Sequence, residues 1–231
     1  MKLAERYIYP PRPQKGSIPQ SELANFKDMG WKGQLKFNGN RLVLSKNSGD
    51  AVFYNRHKKV HKRYTPPTWL QDEIIEACRL LGLDENEWNL LDGELLHNKH
   101  RLFKDTIVLW DILVRDGEWL LDTTYQERFD SLLSKCDGCD PFHLEIGGEK
   151  FLLGVKLTEH IFIPILTDDL QGLWDLTQEI NEAAGWKHEG EPIVEGVAAK
   201  MPIGKLKPGL RESNNTDWNT RCRICTKRHR Y

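Results

Sequence analysis

The chain has 231 residues, 39% hydrophobic and 29% charged, with 33 Lys and Arg against 34 Asp and Glu for a formal net charge of −1. That length supports one good-sized core or two small ones, and the net charge alone gives no sign of a nucleic-acid partner. The longest apolar run, residues 107–114, is too short to span a membrane and carries Asp111, and no apolar segment follows Met1-Lys2-Leu3-Ala4-Glu5-Arg6, so an intracellular protein is expected.

In chain order, residues 1–20 read as an extended arm with Pro10-Pro11-Arg12-Pro13 in polyproline style, followed by a short helix capped by Ser21. Over residues 31–54 apolar positions alternate around Asn47-Ser48-Gly49-Asp50, which predicts an antiparallel meander with a tight turn. Pro66-Pro67 announces a helix over 69–81, with Trp69, Leu70, Ile74, Ala77, Cys78 and Leu81 on one stripe and Gly82 just past its end. Strands follow at 88–96 and 106–114, joined by a polar hairpin around Asn98-Lys99-His100. Thr123 with Gln126 three residues on reads as a capping box for a helix whose apolar face is Phe129, Leu132 and Leu133. Strands at 150–156 and 161–166, a helix over 169–184 closed by Gly185, and strands at 192–200 and 218–226 complete the chain. The sum is α+β, mostly antiparallel sheets with flanking helices, read as one domain because no linker divides it.

Three features carry chemistry. In Gln34-Leu35-Lys36-Phe37-Asn38-Gly39-Asn40-Arg41 a primary amine at a strand end stands beside a glycine that would let backbone approach a phosphate, which suits a nucleophile attacking phosphorus. The same Asn-Gly is also the strongest short-range hairpin signal. Acidic groups interrupt apolar strands at Asp92-Gly93-Glu94, Trp110-Asp111 and Glu195-Gly196. Such groups are costly unless paired or metal-bound, so three of them point to one shared site. Cations cluster over 56–64 and 221–231, interleaved with aromatics and histidines, as a polyanion footprint or as solvated faces.

The ordered set resembles the covalent nucleotidyltransferase superfamily of ATP-dependent polynucleotide ligases and mRNA capping enzymes. The matching residues are Lys36 to Arg41, Asp92 to Glu94, Trp110-Asp111, Glu195 to Lys200 and Trp218 to Arg223. Leu121-Asp122-Thr123-Thr124-Tyr125-Gln126-Glu127-Arg128 resembles the helix start that follows the aromatic-Asp strand in ligases. The resemblance implies the ligase-type adenylyltransferase fold, with Lys36 attacking the α-phosphorus of ATP and retaining AMP. It implies Glu94 and Arg41 on the ribose, Trp110 stacked on adenine, Gln34 at the purine edge, and Lys200, Arg221 and Arg223 on phosphates. Glu195, with Asp92 as a further carboxylate, would bind Mg²⁺ or Mn²⁺. Arg56 and Lys58 would meet the acceptor strand. Each has a plainer reading: Trp110 as core, Asp92 as a strand brace, Arg56 as a solvated charge.

Asn38 and Arg221 depart from the pattern, since aspartate and lysine are usual there. The OB-fold domain of DNA ligases and capping enzymes does not follow residue 231, so a protein partner could replace it, and the chain is expected to be monomeric. An ATP-dependent ligase joining 5′-phosphate and 3′-hydroxyl ends is the expected function. RNA is favoured on Asn38 and the missing domain, while the match at 121–128 leans to DNA nicks. A degenerate nucleotidyltransferase that only binds nucleic acid is the rival from another class. Five cysteines argue against a disulfide framework. The pairs Cys136/Cys139 and Cys222/Cys225 could suggest zinc, but strand residues three apart face opposite sides.

Overall fold

The computed structural model describes residues 9–14, 16–48, 50–62, 64–97, 99, 102–186 and 191–224. Their strands form two sheets. The smaller has three strands in the order β1 (Lys32–Phe37), β10 (Val194–Lys200), β11 (Asn219–Arg223), all antiparallel. The larger has eight, in the order β3 (Asp50–Tyr54), β2 (Asn40–Asn47), β4 (Asn89–Leu96), β5 (Thr106–Arg115), β9 (Ile161–Pro164), β8 (Glu149–Lys156), β7 (Pro141–Ile146), with β6 (Glu118–Trp119) on β5. Within the larger sheet β5 and β9 run parallel and the other pairs antiparallel.

Four helices among the described residues flank these sheets: α1 (Leu23–Asp28), α2 (Thr68–Leu80), α3 (Tyr125–Leu133) and α4 (Leu170–Ala183). The apolar stripe of α2, Leu70, Ile74, Ala77 and Cys78, joins Phe129 and Leu132 of α3 against Leu42, Leu44, Leu91, Leu109 and Ile112 of the larger sheet. Burying each such side chain contributes roughly 1.5–3 kcal/mol. A second cluster fastens the two sheets together: Leu35, Phe37, Val194 and Val197 meet Leu173 and Ile180 of α4 on one side and Val108 and Phe162 on the other. Phe37 packs edge-on to Phe162 with ring centroids 5.6 Å apart. Asn181 of α4, fully buried, accepts from the Ile193 and Val194 amides and donates to the Val194 carbonyl, fixing the entry to β10.

The alternating pattern over 31–54 is not a single meander. β2 and β3 are hydrogen-bonded neighbours, but β1 leaves them and pairs with β10. Asn38-Gly39 is therefore a crossing from one sheet to the other rather than a hairpin turn. Gly39 is needed for packing: a Cβ there would lie 2.4 Å from Glu94 Cγ and 2.7 Å from the Leu95 carbonyl oxygen. Ser21 lies inside a 3₁₀ turn (Gln20–Glu22) and caps nothing, because Pro19 precedes that turn and α1 begins after it. The capping box of α3 is one residue later than expected, Thr124 with Glu127. β6, at two residues, is too short to carry a pattern; β7 does alternate at Phe142, Leu144 and Ile146 but lies outside the strands expected from the sequence, and it starts on a proline at the sheet edge, where no partner needs its missing N–H. Gly49, Arg63, Asn98, His100, Cys225 and residues 226–231 lie outside the described residues. No helix among the described residues is long and apolar enough to cross a membrane.

Gly196 sits at φ 138°, and an added Cβ would come 2.1 Å from the Cys222 carbonyl oxygen on the neighbouring strand. Gly196→Ala should cost about 2–4 kcal/mol of stability, read as a lower denaturant midpoint with an unchanged slope. A midpoint equal to that of the unmodified protein would show that β10 and β11 can separate at no cost.

Candidate active site

The floor of the site is one face of the small sheet. Directly opposed residues share a face, and the register runs Lys36–Gly196–Arg223, Gln34–Ala198–Arg221 and Lys32–Lys200–Asn219 across the three strands. Cations thus stand around a centre kept low by glycine and alanine, while Leu35, Phe37, Val197 and Cys222 of the same strands are buried on the other face. Strict alternation would turn Glu195 toward those apolar residues. A register shift between Lys36 and Phe37, together with the positive φ of Gly196, turns its carboxylate to the polar face instead. There Glu195 Oε2 accepts from Lys36 Nζ at 2.5 Å and from Arg223 Nη2 at 2.9 Å.

Burial lowers the Lys36 amine below its ordinary value, with Arg223 assisting and the Glu195 and Glu94 carboxylates opposing. Burial pushes the Glu195 carboxyl the other way, but Lys36 and Arg223 outweigh it and hold the group ionised. An amine that gives up its proton readily, beside carboxylates that stabilise its charged form, is poised rather than quenched.

The larger sheet supplies the wall. Arg41 and Glu94 are directly opposed on β2 and β4, and Asp92 is opposed to Asp111 on β5. Arg41 grips Asp92 with both Nε, at 2.7 Å, and Nη2, and its Nη2 also donates to the Pro11 carbonyl at 2.6 Å. Trp110 Nε1 donates to Asp92 Oδ2 at 3.2 Å, with the Arg41 guanidinium over its ring at 5.0 Å. Asp92 is therefore the brace that orients Arg41 and Trp110, and it is left out of the metal set proposed below. Asp111 is committed to Arg128 of α3 in a fully buried pair, at 2.8 and 3.0 Å. Burial raises Glu94 to about 7 and brings Lys200 down to about 7.

Gln34, Lys36, Arg41, Glu94, Trp110, Glu195 and Lys200 line a cavity of about 1100 Å³ that also takes in Arg56, His57, Arg221 and Arg223. Arg221 Nε donates to the Gly16 carbonyl at 3.2 Å. Lys58 does not line the cavity; its ammonium sits 4.3 Å over the Tyr9 ring. The arm forms the remaining side. Pro10 and Pro11 are buried in it, Arg12 pairs with Glu212, and Glu212 is also 3.1 Å from His57.

Sequence reasoning missed Tyr125, Lys99 and the Arg12–Glu212–His57 contact. Lys99 donates to Asn38 Oδ1 at 2.8 Å and to the Gly39 carbonyl at 2.7 Å, while Asn38 Nδ2 donates to Glu191 Oε2 at 2.8 Å and to the Pro192 carbonyl at 3.0 Å. An aspartate could accept from Lys99 but not donate to Glu191, so the departure at 38 answers a local hydrogen-bond demand. Its only sequence signal was the departure itself. Among the described residues no group of three or more His, Cys, Asp or Glu could hold a metal ion, and Cys222 of β11 is buried with Leu23 and Trp31.

The fold is that of the nucleotidyltransferase domain of ATP-dependent DNA ligases. The ligase domain of M. tuberculosis LigD superposes with a TM-score of 0.56 at 18% identity, over 90% of this chain and 57% of that one. A mycobacterial DNA ligase D complexed with ATP and MES superposes with a TM-score of 0.52 at 17% identity, over 90% of this chain and 58% of that one. The chain thus spans under three-fifths of the length of either. No protein-family model matches the sequence, and no curated protein matches it significantly.

Glu94 gives a pH test of the site. Its carboxyl titrates at about 7 when folded and at the ordinary 4.5 when unfolded, so between those values the folded state holds a proton the unfolded state has lost. Its contribution to stability is present below about pH 4.5 and is lost as pH rises through 7. Glu94→Gln should therefore gain on the order of 3 kcal/mol at pH 8 and under about 1 kcal/mol at pH 5, measured by thermal melts at both values. Equal gains at both would remove burial as the cause.

Proposed function

We propose that the chain is the adenylyltransferase unit of an ATP-dependent polynucleotide ligase, sealing a 5′-phosphate to a 3′-hydroxyl through a lysyl-AMP intermediate. The observation that supports this best is the lowered amine of Lys36, held between Glu195 and Arg223 on a floor of cations. Neutral Lys36 Nζ attacks the α-phosphorus. The N–P bond forms as the P–O bond to pyrophosphate breaks, and the nitrogen sheds a proton. Lys200, Arg221 and Arg223 meet the phosphate oxygens as charge shifts to the leaving group. Glu94 and Arg41 take the ribose, Trp110 the face of the base and Gln34 its edge.

The donor set fits a divalent ion that arrives with the nucleotide. Mg²⁺ takes one or two carboxylates plus phosphate oxygens and water, and Glu195 offers Oε1, which has no partner among the described residues. Glu195 would hold Mg²⁺ or Mn²⁺, and the ion would offset charge on the departing pyrophosphate.

For the acceptor we favour a nicked DNA duplex. The partners of Asn38 remove the reason for reading that residue as a mark of RNA, and the structural neighbours are DNA ligases. Offering DNA, RNA and hybrid nicks with labelled 5′ ends separates these readings, and joining of RNA alone would reverse the choice. A clamp from a partner or further domain would hold the duplex.

With α-labelled ATP and Mg²⁺ the protein should take up one AMP, Lys36→Ala should take up none, and GTP should label poorly. Label persisting in Lys36→Ala would remove the nucleophile assignment, and equal labelling by GTP would favour guanylyl transfer. Nucleic-acid binding with no label at all would leave the binding-module reading in front.

Arg56 is exposed at the cavity rim. Arg56→Ala should lower the salt dependence of nucleic-acid binding by about one unit of slope while self-adenylylation survives. An unchanged slope would return Arg56 to the solvated surface.

A further inference from the structure

Tyr125 opens α3, is fully buried, and stacks on Trp218 with centroids 5.8 Å apart. Its hydroxyl lies 3.0 Å from each of three groups: the Lys200 ammonium, the Trp110 carbonyl and the Gln34 side-chain amide. A phenol has one proton to give and two lone pairs. Lys200 has an N–H to give whether or not it is charged, and the Trp110 carbonyl can only accept, so the phenolic proton belongs to Trp110 and the lone pairs to two donors. The second donor must be the amide NH₂ of Gln34. The structure sets Gln34 Oε1 against Tyr125, an orientation that forms two bonds instead of three and leaves Gln34 Nε2 buried with no partner among the described residues, so the two amide atoms are exchanged. Oxygen and nitrogen of such an amide are assigned by the network around them. The network here places nitrogen on Tyr125 and leaves the carbonyl oxygen as the unpaired polar atom of Gln34, a residue that lines the cavity.

We propose that Tyr125 is a positioning residue that sets base choice: by receiving the Gln34 amide nitrogen it turns an acceptor to the purine edge, selecting a 6-amino over a 6-oxo base. The same oxygen receives Lys200, so the group that reads the base and the ammonium that meets the phosphate are fixed from one point. This rests on the nucleotide-site reading above and adds to it a residue that touches neither base nor phosphate. A 6-oxo purine would set oxygen against oxygen in a buried place, a mismatch on the order of 10²-fold in affinity.

Equilibrium binding of ATP and of ITP, its 6-oxo counterpart, reads base choice without requiring transfer. The unmodified protein should prefer ATP by on the order of 10²-fold. Tyr125→Phe keeps the ring against Trp218 and Phe129 but frees the Gln34 amide to present either end, so the preference should fall at least tenfold. Gln34→Leu should lose the same preference, with Tyr125→Phe adding little on top of it. Gln34→Glu presents oxygen whichever way it turns, so adding it to Tyr125→Phe should restore the preference for ATP. A merely structural role would weaken both nucleotides alike and leave the ratio where it was, and that result overturns the proposal. If Tyr125→Phe does not fold, retention of the full preference in Gln34→Leu overturns it equally. Selective binding without uptake of label would sink the ligase reading and leave the role of Tyr125 standing, whereas no preference for ATP in the unmodified protein would end it.

Discussion

The ion pair between Lys36 and Glu195 is the contact on which the rest of the site depends. Its partners lie 159 residues apart in the chain and meet at 2.5 Å across β1 and β10. A buried ammonium or carboxylate left alone is heavily penalised, so each needs the other, and both need the backbone irregularity that brings them to one face. That irregularity needs Gly196, which needs β11 close enough that no side chain fits between. Arg223 then arrives opposite Gly196 and completes the charge balance. One shift of register thus settles where the Glu195 carboxylate points and that it meets both Lys36 and Arg223.

Much of this was legible from residues alone because the polar groups were in the wrong company. Asp92, Glu94, Asp111 and Glu195 interrupt apolar strands, and chains tolerate that only where the groups meet partners, so gathering them into one site was sound physics. Helices α2 and α4 were visible in their apolar spacing. The partners of β1 were not: a six-residue strand carries its alternation but no record of which distant strand will pair with it, and Asn-Gly turns the same way whether it leads back or onward. The partners of Asp92 and Asp111 were hidden in the same way. A carboxylate in a strand looks alike whether it will face a metal ion or a guanidinium, and here Arg41 and Arg128 take them. Tyr125 gave no signal, since a tyrosine at a helix start is ordinary until its hydroxyl is seen among three partners.

The arm shows how a segment with no regular structure can still belong to the site. Its proline carbonyl at position 11 satisfies Arg41, its Arg12 meets Glu212, and Ile18 runs beside Cys222 of β11. Prolines suit such a role, since their backbone is already restricted and loses less freedom on docking. The cavity is closed on that side by chain the sheets do not provide.

The strand order also carries a timetable. All strands of the larger sheet lie within residues 40–164, so that sheet can close while the chain is still being made, whereas β1 must wait for β10 and the small sheet as a whole for β11. A ribosome delivers residues in order, and pairings between distant segments come late. Until residue 200 has emerged, β1 has no partner strand and the contact between Lys36 and Glu195 cannot form. The wall of the cavity is therefore laid down before its floor, and Lys36, Glu195 and Arg223 come together only with the completed small sheet.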